Sequence, residues 1–358
     1  MTGNIRKNHT AFTDRERERF LNAVFELQTT RSSRPHPNNV GGTVYGDFVA
    51  MHIEATWSGP AHGTSNFLPW HRQFLVEFEI ALNQTSAAQR GPRVCLPYWD
   101  WTVDRQPDRT PWTDEWLGDD GTGLLGQVQR GRFGVPDNDL EHFLSPQTMA
   151  RLRAADGISG LPPEEMAAVW QELDRRLADL PGELRNRWFV IRVVDNRPFL
   201  SRFFDLPLAP FLPFWERETE EQKQRRRERE GEFFRDRGMG VLDVMDETAY
   251  DKFRPRLELD QHGTVHAELG GHMGGSGSPN DPVFWLHHCF VDKIWADWQA
   301  KQAARHPVAA PYLPLQGTET EPGYHQRFAP WNTMSAADLI DTARIRHPQH
   351  GRVGYVYR

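Results

Sequence analysis

Histidines at ligand-like spacings occur in two distant stretches of the chain. His262 and His266 are four residues apart in His262-Gly-Thr-Val-His266, so in a helix the two rings leave one face a turn apart. A glycine- and serine-rich loop at 270–278 then runs into Pro279-Asn280-Asp281-Pro282. From Val283 the chain turns apolar and aromatic and carries adjacent histidines, His287 and His288. Phe284, His288, Asp292 and Trp295 follow at steps of 4, 4 and 3, which puts an imidazole on one helical face with a carboxylate a turn later. The first third of the chain offers a second set, His52, His62 and His71. Three imidazoles that can converge read as a metal site. Two all-imidazole sets without a cysteine cluster disfavour structural zinc, which thiolates usually close. Imidazole suits copper, zinc, iron and nickel, and spacing alone leaves copper and zinc open.

The elements that must carry these residues are mostly helical. Residues 13–27 predict a first helix capped by Thr13 or Asp14, with Glu16 three residues after Thr13 and a buried stripe of Phe20, Val24 and Leu27. A second helix over 44–56 places Tyr45, Phe48 and His52 on one face. Taken alone, such a histidine is more often a packed core residue than a ligand. After the Gly59-Pro60 break, His62 leads to Pro69, which suits a helix start, and His71 then falls in the first turn. Phe74, Leu75, Phe78 and Leu82 face inward from that helix. Residues 162–180 predict another amphipathic helix, with Trp170, Leu173, Leu177 and Leu180 buried. The apolar run within 188–204 reads as a strand or a buried helix, and the charge run 216–237 as a solvated excursion.

Composition removes several function classes. At 358 residues with 38% hydrophobic content, the chain is long enough for a substantial core. A net charge of −7 with both signs interspersed gives no basic footprint for nucleic acid. No apolar run reaches transmembrane length, so no membrane partner is expected. The first residues lack a signal-peptide core, which makes the cytoplasm the expected location. Two isolated cysteines, Cys95 and Cys289, make no disulfide framework.

Phe67-Leu-Pro-Trp-His71-Arg72, the Ser278-to-His288 motif and the His262/His266 pair 22 residues before His288 together resemble the type 3 copper proteins. That family includes tyrosinases, catechol oxidases, o-aminophenol oxidases and hemocyanins. The resemblance covers roughly residues 1–110 and 240–358 and thins between them. It implies a mainly α fold, an antiparallel four-helix bundle core holding a dicopper site, with long loops. It also implies one catalytic domain over 1–358, with copper-binding halves at about 44–110 and 245–300 and an atypical insertion at about 103–250. No C-terminal shielding domain is expected after Tyr357.

Carried over by position, His52, His62 and His71 hold one copper ion and His262, His266 and His288 the other, with dioxygen as co-substrate. The family uses the second histidine of the 287/288 pair. Phe284 matches an aromatic residue packed beside the second copper. Asn280 and Asp292 match polar positions that orient ligands, and Ser278 and His272 lie where the family shapes substrate access. Arg6 and Tyr355-Val-Tyr357 resemble the arginine and tyrosine motif that closes the domain. The implied substrate is a small phenol or o-aminophenol, and a separate copper-delivery protein is a conceivable partner.

Two departures bear on the reaction. Hydroxylating members carry Asn after the first histidine of the second triad, paired with an upstream Glu, to hold a water that deprotonates the phenol. Glu258 is the counterpart of that glutamate, but the Asn position is Gly263. Oxidation of o-diphenols or o-aminophenols is therefore expected ahead of monophenol hydroxylation, with a full tyrosinase as the alternative and oxygen carriage without turnover behind both. Residues 60–61 are Pro and Ala, so no cysteine thioether to His62 is expected. A two-zinc hydrolase recruits bridging carboxylates, and none stands at ligand spacing.

Overall fold

A computed structural model describes residues 4–34, 42–59, 61–89, 91–102, 110–119, 121–178, 200, 202, 244–305 and 324–358. These residues form eight principal helices: α1 (Asp14–Thr29), α2 (Val44–Ser58), α3 (Phe67–Gln84), α4 (Pro146–Ala154), α5 (Pro163–Ala178), α6 (Tyr250–Arg256), α7 (Gly263–Leu269) and α8 (Val283–Arg305). The described strands make only two small pairs. The fold is mainly α, as expected.

Local chemistry accounts for where the helices start. Thr13 accepts the Glu16 N–H while the Glu16 carboxylate takes the Thr13 N–H, a closed capping box. Thr43 caps α2 by accepting the Gly46 N–H, without a reciprocal side chain. The Asp281 carboxylate accepts the Val283 N–H at 3.0 Å, and Pro282 precedes the first residue of α8. Asp281 is itself held by a bidentate pairing with the buried Arg202, at 2.8 and 2.9 Å.

The helices pack through aromatic faces. Helix α1 lies against α2 and α3, and α3 lies against α8. Phe20, Val24 and Leu27 are buried from α1, as are Tyr45 and Phe48 from α2 and Phe74, Leu75, Phe78 and Leu82 from α3. The Phe78 and Trp285 rings stack with centroids 3.5 Å apart, nearly parallel, worth about 0.5–1.5 kcal/mol beyond the area they bury. Residues 283–292 of α8 are all buried, so this helix has no polar face in its first half, as befits one surrounded by protein. Among the described residues, no helix is long and apolar enough to cross a membrane.

Between the two halves, α4 and α5 bury a smaller core of their own with Leu140, Phe143, Met149, Leu152 and Leu173, against which Trp170 packs partly buried. Leu180, the charge run 216–237 and all of 188–204 except Leu200 and Arg202 lie outside the described residues. The chain ends meet: Asn4–Arg6 (β1) pairs in parallel with Tyr355–Tyr357 (β4), and Arg346–His347 (β2) pairs antiparallel with Gly351–Arg352 (β3). The arginine and tyrosine motif thus joins the two termini, with the Arg6 guanidinium 3.5 Å from the Tyr355 ring centroid.

Candidate metal centre

Helix α2 carries His52, α3 carries His71, and the loop between them carries His62. The second set comes from a π-helical turn, Leu257–His262, inserted between α6 and α7, which ends in His262. His266 follows in α7 and His288 in α8. Such π turns are rare and recur at functional sites. Among the described residues, His52, His62 and His71 form one cluster of converging ligand atoms, and His262, His266, His287 and His288 form the other. The clusters touch: the rings of His71 and His288 stack at 4.5 Å.

The arrangement fits metal ions on the chemistry of its donors. His52 Nδ1 faces the Ser276 carbonyl at 2.6 Å, and His71 Nδ1 the Phe67 carbonyl at 2.8 Å. His262 Nδ1 faces the Glu258 carbonyl at 2.8 Å, and His266 Nδ1 the Met273 carbonyl at 2.7 Å. A carbonyl oxygen only accepts, so each Nδ1 carries the proton and each Nε2 presents a bare lone pair. Two of those lone pairs face each other, His52 and His71 Nε2 at 3.4 Å, while the lone pairs of His262 and His266 both converge on His288 Nε2 at 3.2 Å. Facing lone pairs repel unless a cation lies between them. Imidazole nitrogens about 2.0–2.1 Å from a tetrahedral ion stand about 3.3 Å apart, which matches the observed separations.

The rings are also kept uncharged. Burial, reinforced by neighbouring imidazoles, holds His52, His71, His262 and His288 well below the ordinary histidine pKa. Burial likewise lowers His62 and His266 to about 4. Neutral imidazole is the form that binds metal.

The other singled-out residues fall as follows. Phe284 stacks on His288 at 4.0 Å and meets His52 edge-on at 5.1 Å, so it underlies both clusters. His287 stacks on His262 at 5.2 Å and stands edge-on to His266 at 4.9 Å, while His288 supplies the nitrogen on which the other two converge. Asp292, which the resemblance matches to a ligand-orienting position, makes its hydrogen bonds elsewhere. Its carboxylate is taken by Arg6, Arg72, Tyr355 and Tyr357, and His288 Nδ1 has no hydrogen-bond partner. Asn280 is fully buried and its amide makes no hydrogen bond to a ligand. Four of the six candidate ligands, His52, His71, His262 and His266, are held by main-chain carbonyls. Ser278 and His272 are buried at 1% and 2% exposure rather than facing solvent. The exposed indole beside the clusters is Trp57, whose Nε1 donates to Ser276 Oγ at 3.2 Å.

Glu258 is buried and both its carboxylate oxygens are engaged, one by the Gly63 N–H and the other by Arg254, each at 2.6 Å. Burial outweighs both partners and raises its pKa above the ordinary glutamate value. Gly263 has ordinary helical torsions (φ −61°), and a Cβ there would come no closer than 3.4 Å to the Glu258 carbonyl oxygen.

Residues 42–301, which include all six ligand candidates, match the family model described as the common central domain of tyrosinase. A tyrosinase of Streptomyces glaucescens is 33% identical over 348 residues, covering 94% of this chain and 96% of that protein. A grixazone synthase of Streptomyces griseus is 32% identical over 362 residues, covering 95% and 97%. Among solved structures, a polyphenol oxidase from Thermothelomyces thermophila shares the fold with a TM-score of 0.59 at 20% identity, covering 99% of this chain and 89% of that one. A functional unit of octopus hemocyanin reaches 0.51 at 19% identity, covering 99% and 68%. The match runs through both imidazole clusters and settles the metal that spacing left open: the chain belongs to the tyrosinase family of type 3 copper proteins, copper oxidoreductases that use two copper ions and dioxygen.

Proposed function

We propose that this enzyme oxidises o-diphenols or o-aminophenols to o-quinones or o-quinone imines. In this reading His52, His62 and His71 hold one copper ion and His262, His266 and His288 the other, within an antiparallel four-helix frame of α2, α3, α7 and α8. The bound copper pair supplies the two-electron exchange between substrate and dioxygen. The protein contributes orientation and access: carbonyls fix the rings, burial keeps them neutral and Phe284 forms an aromatic floor beneath them.

The observation that carries the substrate choice is the state of Glu258 and Gly263. A monophenol must lose its hydroxyl proton as it is positioned, and a general base near the second triad would assist that step. Gly263 has no side-chain amide to hold a water there, and Glu258 spends both oxygens on Gly63 and Arg254. An o-diphenol or o-aminophenol needs less of this help. The relatives named tyrosinase favour the second reading, ortho-hydroxylation of monophenols as well.

Oxygen uptake by the copper-loaded protein on a monophenol, its matching catechol and an o-aminophenol tests the choice. The catechol and aminophenol should outrun the monophenol by about 10²-fold or more, the scale of general-base assistance. Monophenol turnover at a comparable rate without a lag overturns the reading. Gly263→Asn, which the backbone admits, should raise monophenol turnover relative to catechol.

A further inference from the structure

We infer that Glu258 is a positioning residue that ties the two triads together by holding the His62 loop, and that its loss releases copper from the His52/His62/His71 site first. Its main chain serves one triad, since its carbonyl orients His262 at 2.8 Å. Its side chain serves the other, accepting at 2.6 Å the N–H of Gly63, the peptide immediately after His62. Arg254, one helical turn back, holds the second carboxylate oxygen at 2.6 Å and so fixes the side chain in that direction. The residue is 4% exposed, and charge-assisted bonds shielded from water are the strong ones.

His62 is the ligand that most needs such a tie. It alone of the six sits on a loop rather than in a helix or helical turn. Gly63 has φ +71°, and a Cβ there would meet nothing within 4 Å, so a side chain at that position would find nothing to pack against. His62 Nδ1 makes a 3.3 Å approach to Thr56 Oγ1, whereas His52, His71, His262 and His266 have carbonyls at 2.6–2.8 Å. Two short bonds reach this loop, the Tyr250 hydroxyl to the Ser65 carbonyl and the Gly63 N–H to Glu258, each at 2.6 Å, and the second is the one at the peptide next to His62.

The test reads metal rather than turnover, so it does not depend on which phenol is oxidised. Copper retention against a graded chelator, and the paramagnetic signal of a lone Cu(II) after one of the pair is lost, are measured for wild type, Glu258→Ala and Glu258→Gln. Melting of each metal-free variant reports whether it folds. Glu258→Ala should lose one copper ion with about 10–100-fold weaker affinity, as for other groups that orient ligands, and show the lone-ion signal. Glu258→Gln keeps an oxygen for the Gly63 N–H but loses the Arg254 ion pair, and should release that copper faster than wild type and slower than the alanine variant. His62→Ala should give the same lone-ion signal. Retention of both ions by a folded Glu258→Ala with wild-type affinity overturns the inference. If the alanine variant does not fold, wild-type copper release by Glu258→Gln overturns it.

Discussion

Burial forces neutrality on every ligand imidazole, and that has a consequence for pH. The unfolded chain takes up protons on these rings near the ordinary value of 6.5, while His62 and His266 in the folded protein do so only near about 4. Between those values the unfolded state binds more protons, so folding stability rises with pH and is lost as pH falls. The contribution is fully present above 6.5 and disappears on acidification toward about 4, in the same direction for His52, His71, His262 and His288, whose pKa values are also lowered. The melting temperature of the metal-free protein should therefore drop steadily across that window. A flat profile there means that the free imidazoles are solvated in the absence of metal.

At the scale of elements, the site depends on where helices begin. Helix α1 lies behind α2 and α3, the two helices that carry His52 and His71, and its first turn is closed by Thr13 and Glu16. Thr13→Ala opens that box and should cost about 1 kcal/mol in urea unfolding, with the copper content unchanged because no ligand lies on α1. The π-helical turn Leu257–His262 acts more directly. It places the Glu258 carbonyl under His262 and the Glu258 side chain against the loop after His62. A plain helical reading of this segment finds the His262/His266 spacing but not this second duty of Glu258, because a change in helical period leaves no composition mark.

Across the whole molecule, one buried charge cluster joins elements from both ends of the sequence. Asp292 on α8 accepts from Arg6 on β1, Arg72 on α3 and the tyrosine hydroxyls of β4, while Arg6 also pairs with Glu79. Arg72 and Arg6 hold the Asp292 carboxyl below the usual carboxylate range although burial opposes them. Asp292→Ala leaves two buried guanidinium groups short of a partner and should cost about 3–5 kcal/mol, read as a shift of the urea midpoint in the metal-free protein. A loss below about 1 kcal/mol, the size of an exposed pair, rules out this account of the cluster.

What the sequence indicated by itself was two sets of histidines able to converge and the helices that present them. Helical spacing and Thr13 are local signals, Pro69 falls at the third residue of a helix that begins at Phe67, and the histidines converge as two clusters, His52, His62 and His71 in one and His262, His266, His287 and His288 in the other. Only the tertiary structure decided what orients them. The carbonyls of Ser276, Met273, Phe67 and Glu258 do that work for His52, His266, His71 and His262, and a main-chain carbonyl is present at every residue, so no residue type announces it. Tertiary structure likewise turned Asp292 away from His288, because two arginines from distant segments reach its carboxylate first. It also gave Glu258 a partner 195 residues away in Gly63, a pairing that depends on chain path and not on spacing.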